Sequence, residues 1–185
     1  MSARRSTRKQ PRLSHLDRGG RARMVDVGSK PITARMAVAE GFVRISPALA
    51  DAVRRDALGK GPVLEVARLA GILAAKRTDE LIPLCHPLPI DGVEVSAALE
   101  RSGRGPNRVR IEATVRTRAR TGVEMEALAA VAVACLAVID MGKSIDRAMV
   151  IESVRLLEKR GGRRGPYLAP DLAAGKPRSR RGATR

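Results

Sequence analysis

Three short stretches hold the residues best suited to chemistry. Leu84 to Leu88 reads LCHPL and sets a thiol, Cys85, beside an imidazole, His86, with Pro83 and Pro87 bracing the loop. An imidazole held at fixed geometry can donate to a phosphate or move a proton, although an ordinary loop histidine satisfies the same pattern. Thr121 to Leu128 reads TGVEMEAL, placing Glu124 and Glu126 on either side of Met125 at a helix start. Carboxylates there can act as acids or bases, and the helix dipole alone also favours them. Asp140 to Lys143 reads DMGK, with the two charged residues three apart and therefore on one helix face. Such a pair is an acid/base couple at the edge of a buried interface and a plain ion pair on an open surface.

Lys30, Arg35 and Lys60 are the cations suited to a polyphosphate, where they would stabilise both the bound anion and a departing pyrophosphate. Neither a Walker loop nor GxGxxG is present, so a nucleotide would be held by side chains. With two His and two Cys in the whole chain, a metal ligand set is hard to assemble. Cys85 and Cys135 show no CxxC spacing and suggest a reducing cytoplasm.

The elements that position these residues follow from hydrophobic period. Val93, Val95, Ala97 and Leu99 alternate, as do Val109, Ile111, Ala113 and Val115, predicting two half-buried strands joined by a turn at Gly103 to Asn107. Met24 to Val27, Ala34 to Ile45 and Met149 to Leu157 also read as strands. Helical spacing runs from Pro62 to about Thr78, a shorter helix from Ser46 to Leu58, and a third from about Gly122 to Gly142. The order contains a βαββαβ unit with an extra N-terminal strand and helix. This predicts an α+β, ferredoxin-like antiparallel sheet with helices on one face.

Every residue from Ala127 to Ile139 is apolar, so the third helix has no polar face and should be buried all round. One sheet covers one side only, and the small residues Ala129, Ala130, Ala132, Ala134 and Ala137 would let a second copy approach. Glu124 and Glu126 lie some 20 to 25 Å from Asp140 and Lys143 along this helix, too far to share a site within one chain. Two copies packed antiparallel about a two-fold axis would bring them together.

The chain has 185 residues and a formal charge of +17. Residues 1–12 carry Arg4, Arg5, Arg8, Lys9 and Arg12 without an acid, and residues 159–185 carry nine Lys or Arg against Asp171, so most of the excess sits at the ends. The reading is one domain over 13–165 between disordered basic tails over 1–12 and 166–185. With one Tyr, one Phe and no Trp, the body offers no platform for stacking bases, which argues against a nucleic-acid module. The apolar run is shorter than a membrane span needs and the N-terminus lacks a signal-peptide core, so a soluble, cytoplasmic protein is expected.

Taken together, several ordered motifs resemble the cyclic pyranopterin monophosphate synthase family. They are MVDVGSK (Met24 to Lys30), AGILAAKRTDELIPLCHPL (Ala70 to Leu88), GVEV (Gly92 to Val95), TGVEMEAL, DMGKSIDRAMVI (Asp140 to Ile151) and VRLLEKRGG (Val154 to Gly162). The resemblance runs from about Leu13 to Gly165. It implies conversion of 3′,8-cyclo-7,8-dihydroguanosine 5′-triphosphate to cyclic pyranopterin monophosphate with loss of pyrophosphate, in a homohexamer built as a trimer of dimers, with no metal or organic cofactor. The family's catalytic aspartate falls on Asp140, and its substrate contacts on Leu84, Cys85, His86, Met125 and Glu126. Lys60, Glu124 and Lys143 match positions lining the same pocket, and Lys30 and Arg35 its basic rim. Lys143 and Asp140 are expected to shuttle protons, with Lys60 and His86 assisting. One departure is GGRRG at Gly161 to Gly165, which has Arg163 where the family commonly has lysine. An arginine can keep a phosphate contact but cannot donate a proton. The competing readings are a basic nucleic-acid-associated protein held by its tails, or an inactive oligomeric scaffold.

Overall fold

The computed structural model describes residues 19–56, 59, 61–100 and 106–173. The alternating segments form long antiparallel strands: β1 (Thr33–Ile45), β2 (Gly92–Glu100), β3 (Asn107–Ala119) and β4 (Val150–Arg160). Between them lie α1 (Pro47–Arg54), α2 (Val63–Lys76), the single turn α3 (Thr78–Leu81) and α4 (Glu124–Gly142). A short β5 (Tyr167–Leu168) and α5 (Pro170–Ala173) follow. The sheet order is β2-β3-β1-β4-β5. Its first four strands, with α2 and α4 as crossovers, are the ferredoxin-like arrangement expected from the βαββαβ order.

Period-2 alternation decides which side of the sheet is covered. Ala37, Ala39, Val43 and Ile45 of β1 and Val109, Ile111, Ala113 and Val115 of β3 are buried in one core with Ala127, Ala130, Val131, Ala134, Cys135 and Val138 of α4. The other face carries charge. Buried Glu40 accepts from Arg110 Nη2 at 2.9 Å and Arg155 Nη2 at 2.7 Å, and Arg155 also holds Asp171 of α5 at 2.8 Å. Beside this network, Val38, Leu157 and Ala169 form a small second core with Met36 and Leu172.

Three expectations need correction. Met24 to Val27 is extended chain outside the sheet, where the Val25 carbonyl accepts from the His86 ring and the Val27 carbonyl from Lys30 N instead of from a neighbouring strand. The extra strand is β5, at the other end of the sequence, whereas the extra N-terminal helix is present as α1. Residues 167–173 were read as part of a disordered tail but are ordered, since β5 pairs with β4 and Asp171 closes on Arg155. By contrast, α4 keeps the uncovered apolar side expected of it within one chain: Leu136 is 55% exposed, as are Leu73 (56%) and Leu69 (49%) of α2. The turn expected at Gly103 and the helix end at Leu58 lie at least partly outside the described residues. By length and composition α4 could cross a membrane, with 19 residues and mean hydropathy 1.9. In this fold it is the core helix, packed on β1, β3 and α2.

α2 approaches α4 through Gly71, where an added Cβ would meet the Ala130 carbonyl oxygen at 2.9 Å and Val95 Cγ1 at 3.1 Å. Helix propensity alone would reward Gly71→Ala by about 1 kcal/mol. The backbone contact cannot swing away, so a net destabilisation of about 1–3 kcal/mol is expected from overpacking. Thermal unfolding checks this, and a raised Tm would contradict it.

Candidate active site

The loop between α3 and β2 carries Leu84, Cys85 and His86, and it is tied down along its length. Cys85 N donates to Ile82 O (3.0 Å), Thr117 Oγ1 donates to Pro89 O, and Asp91 N donates to Arg116 O (3.0 Å). His86 Nε2 lies 2.8 Å from Val25 O, so Nε2 carries a proton and donates to that carbonyl, which leaves Nδ1 as the ring nitrogen not used in this bond. The same bond brings the segment holding Lys30 past the loop. Lys30 closes a turn there, its N donating to Val27 O at 3.0 Å.

Facing this loop is the first turn of α4. Glu126 is 3% exposed; Cys85 Sγ donates to its Oε1 at 3.5 Å, and its Oε2 is buried with no partner. Burial raises the Glu126 carboxyl above its usual range, and the nearby Glu124 and Asp79 add to the shift. Burial, and next the Glu126 carboxylate, push the Cys85 thiol up to about 11. Cys85 is therefore a protonated hydrogen-bond donor at neutral pH and not a nucleophile. Met125 is exposed beside Glu126.

Glu124 turns the other way, to Lys159 Nζ of β4 at 3.1 Å. Near this end of the sheet lies Arg35 of β1, whose Nη2 donates to Arg120 O at 3.4 Å while its buried Nε has no partner. Gly162 makes room for that guanidinium: its φ of +90° suits glycine, and any Cβ there would collide with Arg35 Nη1.

The second group sits at the far end of α4. Lys143 Nζ donates to Asp140 Oδ1 at 2.6 Å, and both side chains are 60% exposed. Lys143 also lines a cleft of ≈ 590 Å³ with Ile139, Ser144, Asp146, Arg147 and Met149. The structure thus brings Cys85, His86, Glu124, Met125, Glu126 and Arg35 to one end of α4, and Asp140 and Lys143 to the other. Sixteen residues of helix between Glu124 and Asp140 span about 24 Å. Lys60 lies outside the described residues.

Among the described residues no group of three His, Cys, Asp or Glu side chains is placed to hold a metal ion. The donors here instead suit a polyanionic organic molecule, with cations at the rim and buried polar atoms still lacking partners.

A model of the MoaC family matches residues 24–162. The chain belongs to the MoaC family. Among its curated relatives, the cyclic pyranopterin monophosphate synthase of Parvibaculum lavamentivorans is 54% identical over 85% of this chain and 97% of its own length. That of Thermomicrobium roseum is 55% identical over 86% and 94%, and that of Streptomyces griseus 52% over 90% and 92%. The family match spans both groups of site residues.

Two participants escaped the sequence reading. Lys159 looks like one more strand cation until the β1–β4 register sets it opposite Ala37, within reach of Glu124. Asp146 looks like a loop acid, yet it is buried and accepts from Ser46 N (2.7 Å) and Ala148 N (2.9 Å).

Because folding raises the Glu126 proton affinity, its ionised form is penalised as pH climbs past the ordinary carboxylate range. Glu126→Gln should therefore unfold at a higher denaturant midpoint than the parent near about pH 8, with the gap closing toward about pH 4. An unchanged gap across that range would refute the buried-carboxylate account. At about pH 8, alkylation of Cys85 by iodoacetamide should run about two orders of magnitude slower than for a free thiol.

Proposed function

We propose that this chain is a cyclic pyranopterin monophosphate synthase, a lyase of molybdenum cofactor biosynthesis. It converts 3′,8-cyclo-7,8-dihydroguanosine 5′-triphosphate to cyclic pyranopterin monophosphate and pyrophosphate in the cytoplasm, without a metal or organic cofactor. The observation that carries this reading is the helix α4, with a buried carboxylate beside a thiol and an imidazole at one end and an ammonium–carboxylate pair at the other. These are the residues on which the resemblance to the family rests.

The two ends act together when a second copy lays its α4 antiparallel on the exposed apolar side of the first. Leu136, Leu69 and Leu73 then find cover, and Asp140 and Lys143 of one copy reach the Glu124–Glu126 end of the other. Three such dimers make the homohexamer. A reading as a tail-held nucleic-acid protein or an inactive scaffold has less support, since the curated relatives carry a synthase name over nearly their whole length.

Within this site, Lys143 and Asp140 exchange protons with the purine-derived ring as it opens and is rebuilt, with Lys60 and His86 assisting. His86 serves through Nδ1, the ring atom left free by its bond to Val25 O. Cyclisation of the phosphate follows. A ribose hydroxyl attacks the α-phosphorus, its proton passes to a site base, and the bond to the bridging oxygen breaks with its electron pair leaving on pyrophosphate. Lys30, Arg35 and neighbouring cations stabilise that leaving charge.

The test is turnover of the purified protein with the cyclo-dihydroguanosine triphosphate, followed by pyrophosphate release and pterin formation. The parent should form both products, while Lys143→Ala and Asp140→Ala should each lose at least about a hundredfold in kcat with the nucleotide still bound. Near-normal turnover in either variant would sink the assigned roles, and no product from a folded parent would sink the reaction.

A further inference from the structure

The cleft at the C-terminal end of α4 presents an electrostatic difficulty. A helix C-terminus carries partial negative charge and disfavours an anion, yet the reading above brings a polyanionic nucleotide to Lys143, whose ammonium is already engaged by Asp140 at 2.6 Å. Two features of the following loop offset this. Main-chain donors quench the helix-end carbonyls: Lys143 N bonds Ile139 O at 2.9 Å, and Ile145 N and Asp146 N bond Gly142 O at 2.9 and 3.0 Å. The loop also supplies a second cation, Arg147, which lines the cleft beside Lys143 and Ser144 and forms no ion pair among the described residues.

Asp146 explains how Arg147 is kept there. Its side chain does not neutralise the adjacent arginine, because both oxygens are spent on backbone N–H groups, Oδ2 on Ser46 and Oδ1 on Ala148. The buried carboxylate straps the 143–148 loop to the start of α1, where Ser46 caps the helix by accepting from Leu49 N at 3.3 Å. The residue between Asp146 and Ala148 is Arg147, so the strap fixes the backbone on both sides of it while leaving its guanidinium unspent.

We propose that Arg147 is a phosphate-binding residue of this cleft, one of the neighbouring cations that join Lys30 and Arg35 of the other copy on the polyphosphate, with Asp146 as its positioning residue. The proposal rests on the functional reading above and divides the work between two cations. Lys143, coupled to Asp140, handles protons, whereas Arg147 supplies a permanent charge and a planar fork matched to phosphate oxygens.

Inorganic tripolyphosphate is the probe, with binding measured by calorimetry on the full-length protein beside turnover of the nucleotide. Arg147→Met should weaken tripolyphosphate binding about tenfold to a hundredfold, the range of a lost charge-assisted bond. Its turnover defect should fall on KM more than on kcat, and Arg147→Lys should recover part of the affinity. Asp146→Asn, which keeps the cation but turns one acceptor into a donor against a backbone N–H, should also weaken binding. Arg147 is exposed, so its variants should keep the parent's thermal midpoint and oligomer size. Tripolyphosphate affinity within twofold of the parent in folded Arg147→Met would overturn the assignment even if the parent turns over normally. Conversely, a parent that forms no pterin yet binds tripolyphosphate through Arg147 would retain this site and lose the reaction.

Discussion

The molecule is organised by one helix with no polar side. α4 must bury apolar surface in every direction, and a five-stranded sheet with one neighbouring helix covers only part of it. From that shortfall follow the close approach of α2 at Gly71, the exposed leucines on both helices, and the proposal that a second copy of the chain covers them. The same helix carries reactive groups at both ends. The element that builds the core therefore also sets the spacing of the chemistry.

Each end is tuned by a different physical effect. At the N-terminal end, burial dominates: Glu126 is forced toward its protonated form, and Cys85 serves it as a neutral donor. At the C-terminal end, solvent dominates, and Asp140 and Lys143 form an open ion pair of small energetic consequence in one chain. Only when that pair is brought against a desolvated carboxylate does its electrostatics become strong. The interfacial site proposed above would thus couple catalytic competence to assembly.

Elements governed by local period were legible in the sequence. β2 and β3 alternate cleanly, and α2 and α4 keep helical spacing, so the βαββαβ core and the residues at each end of α4 could be named without coordinates. What was not legible depended on contacts distant in sequence. Met24 to Val27 has the composition of a strand, but His86 takes the Val25 carbonyl and the segment stays outside the sheet. Residues 167–173 are too few to show a period, and pairing with β4 and the Arg155–Asp171 bridge hold them. Lys159 and Asp146 carry no local signature, because each acquires its role from a residue over thirty positions away: Glu124 for the first and Ser46 for the second.

The central claim is that each site draws Glu126 from one copy and Lys143 from another. The most direct measurement mixes two inactive proteins, Glu126→Gln and Lys143→Ala, by co-refolding, and assays pterin formation. Random pairing about a two-fold axis gives mixed dimers with one intact site each, so activity should return to about a quarter of the parent's. If the mixture stays as inactive as its components while mixed oligomers form, the site lies within a single chain and the account is wrong.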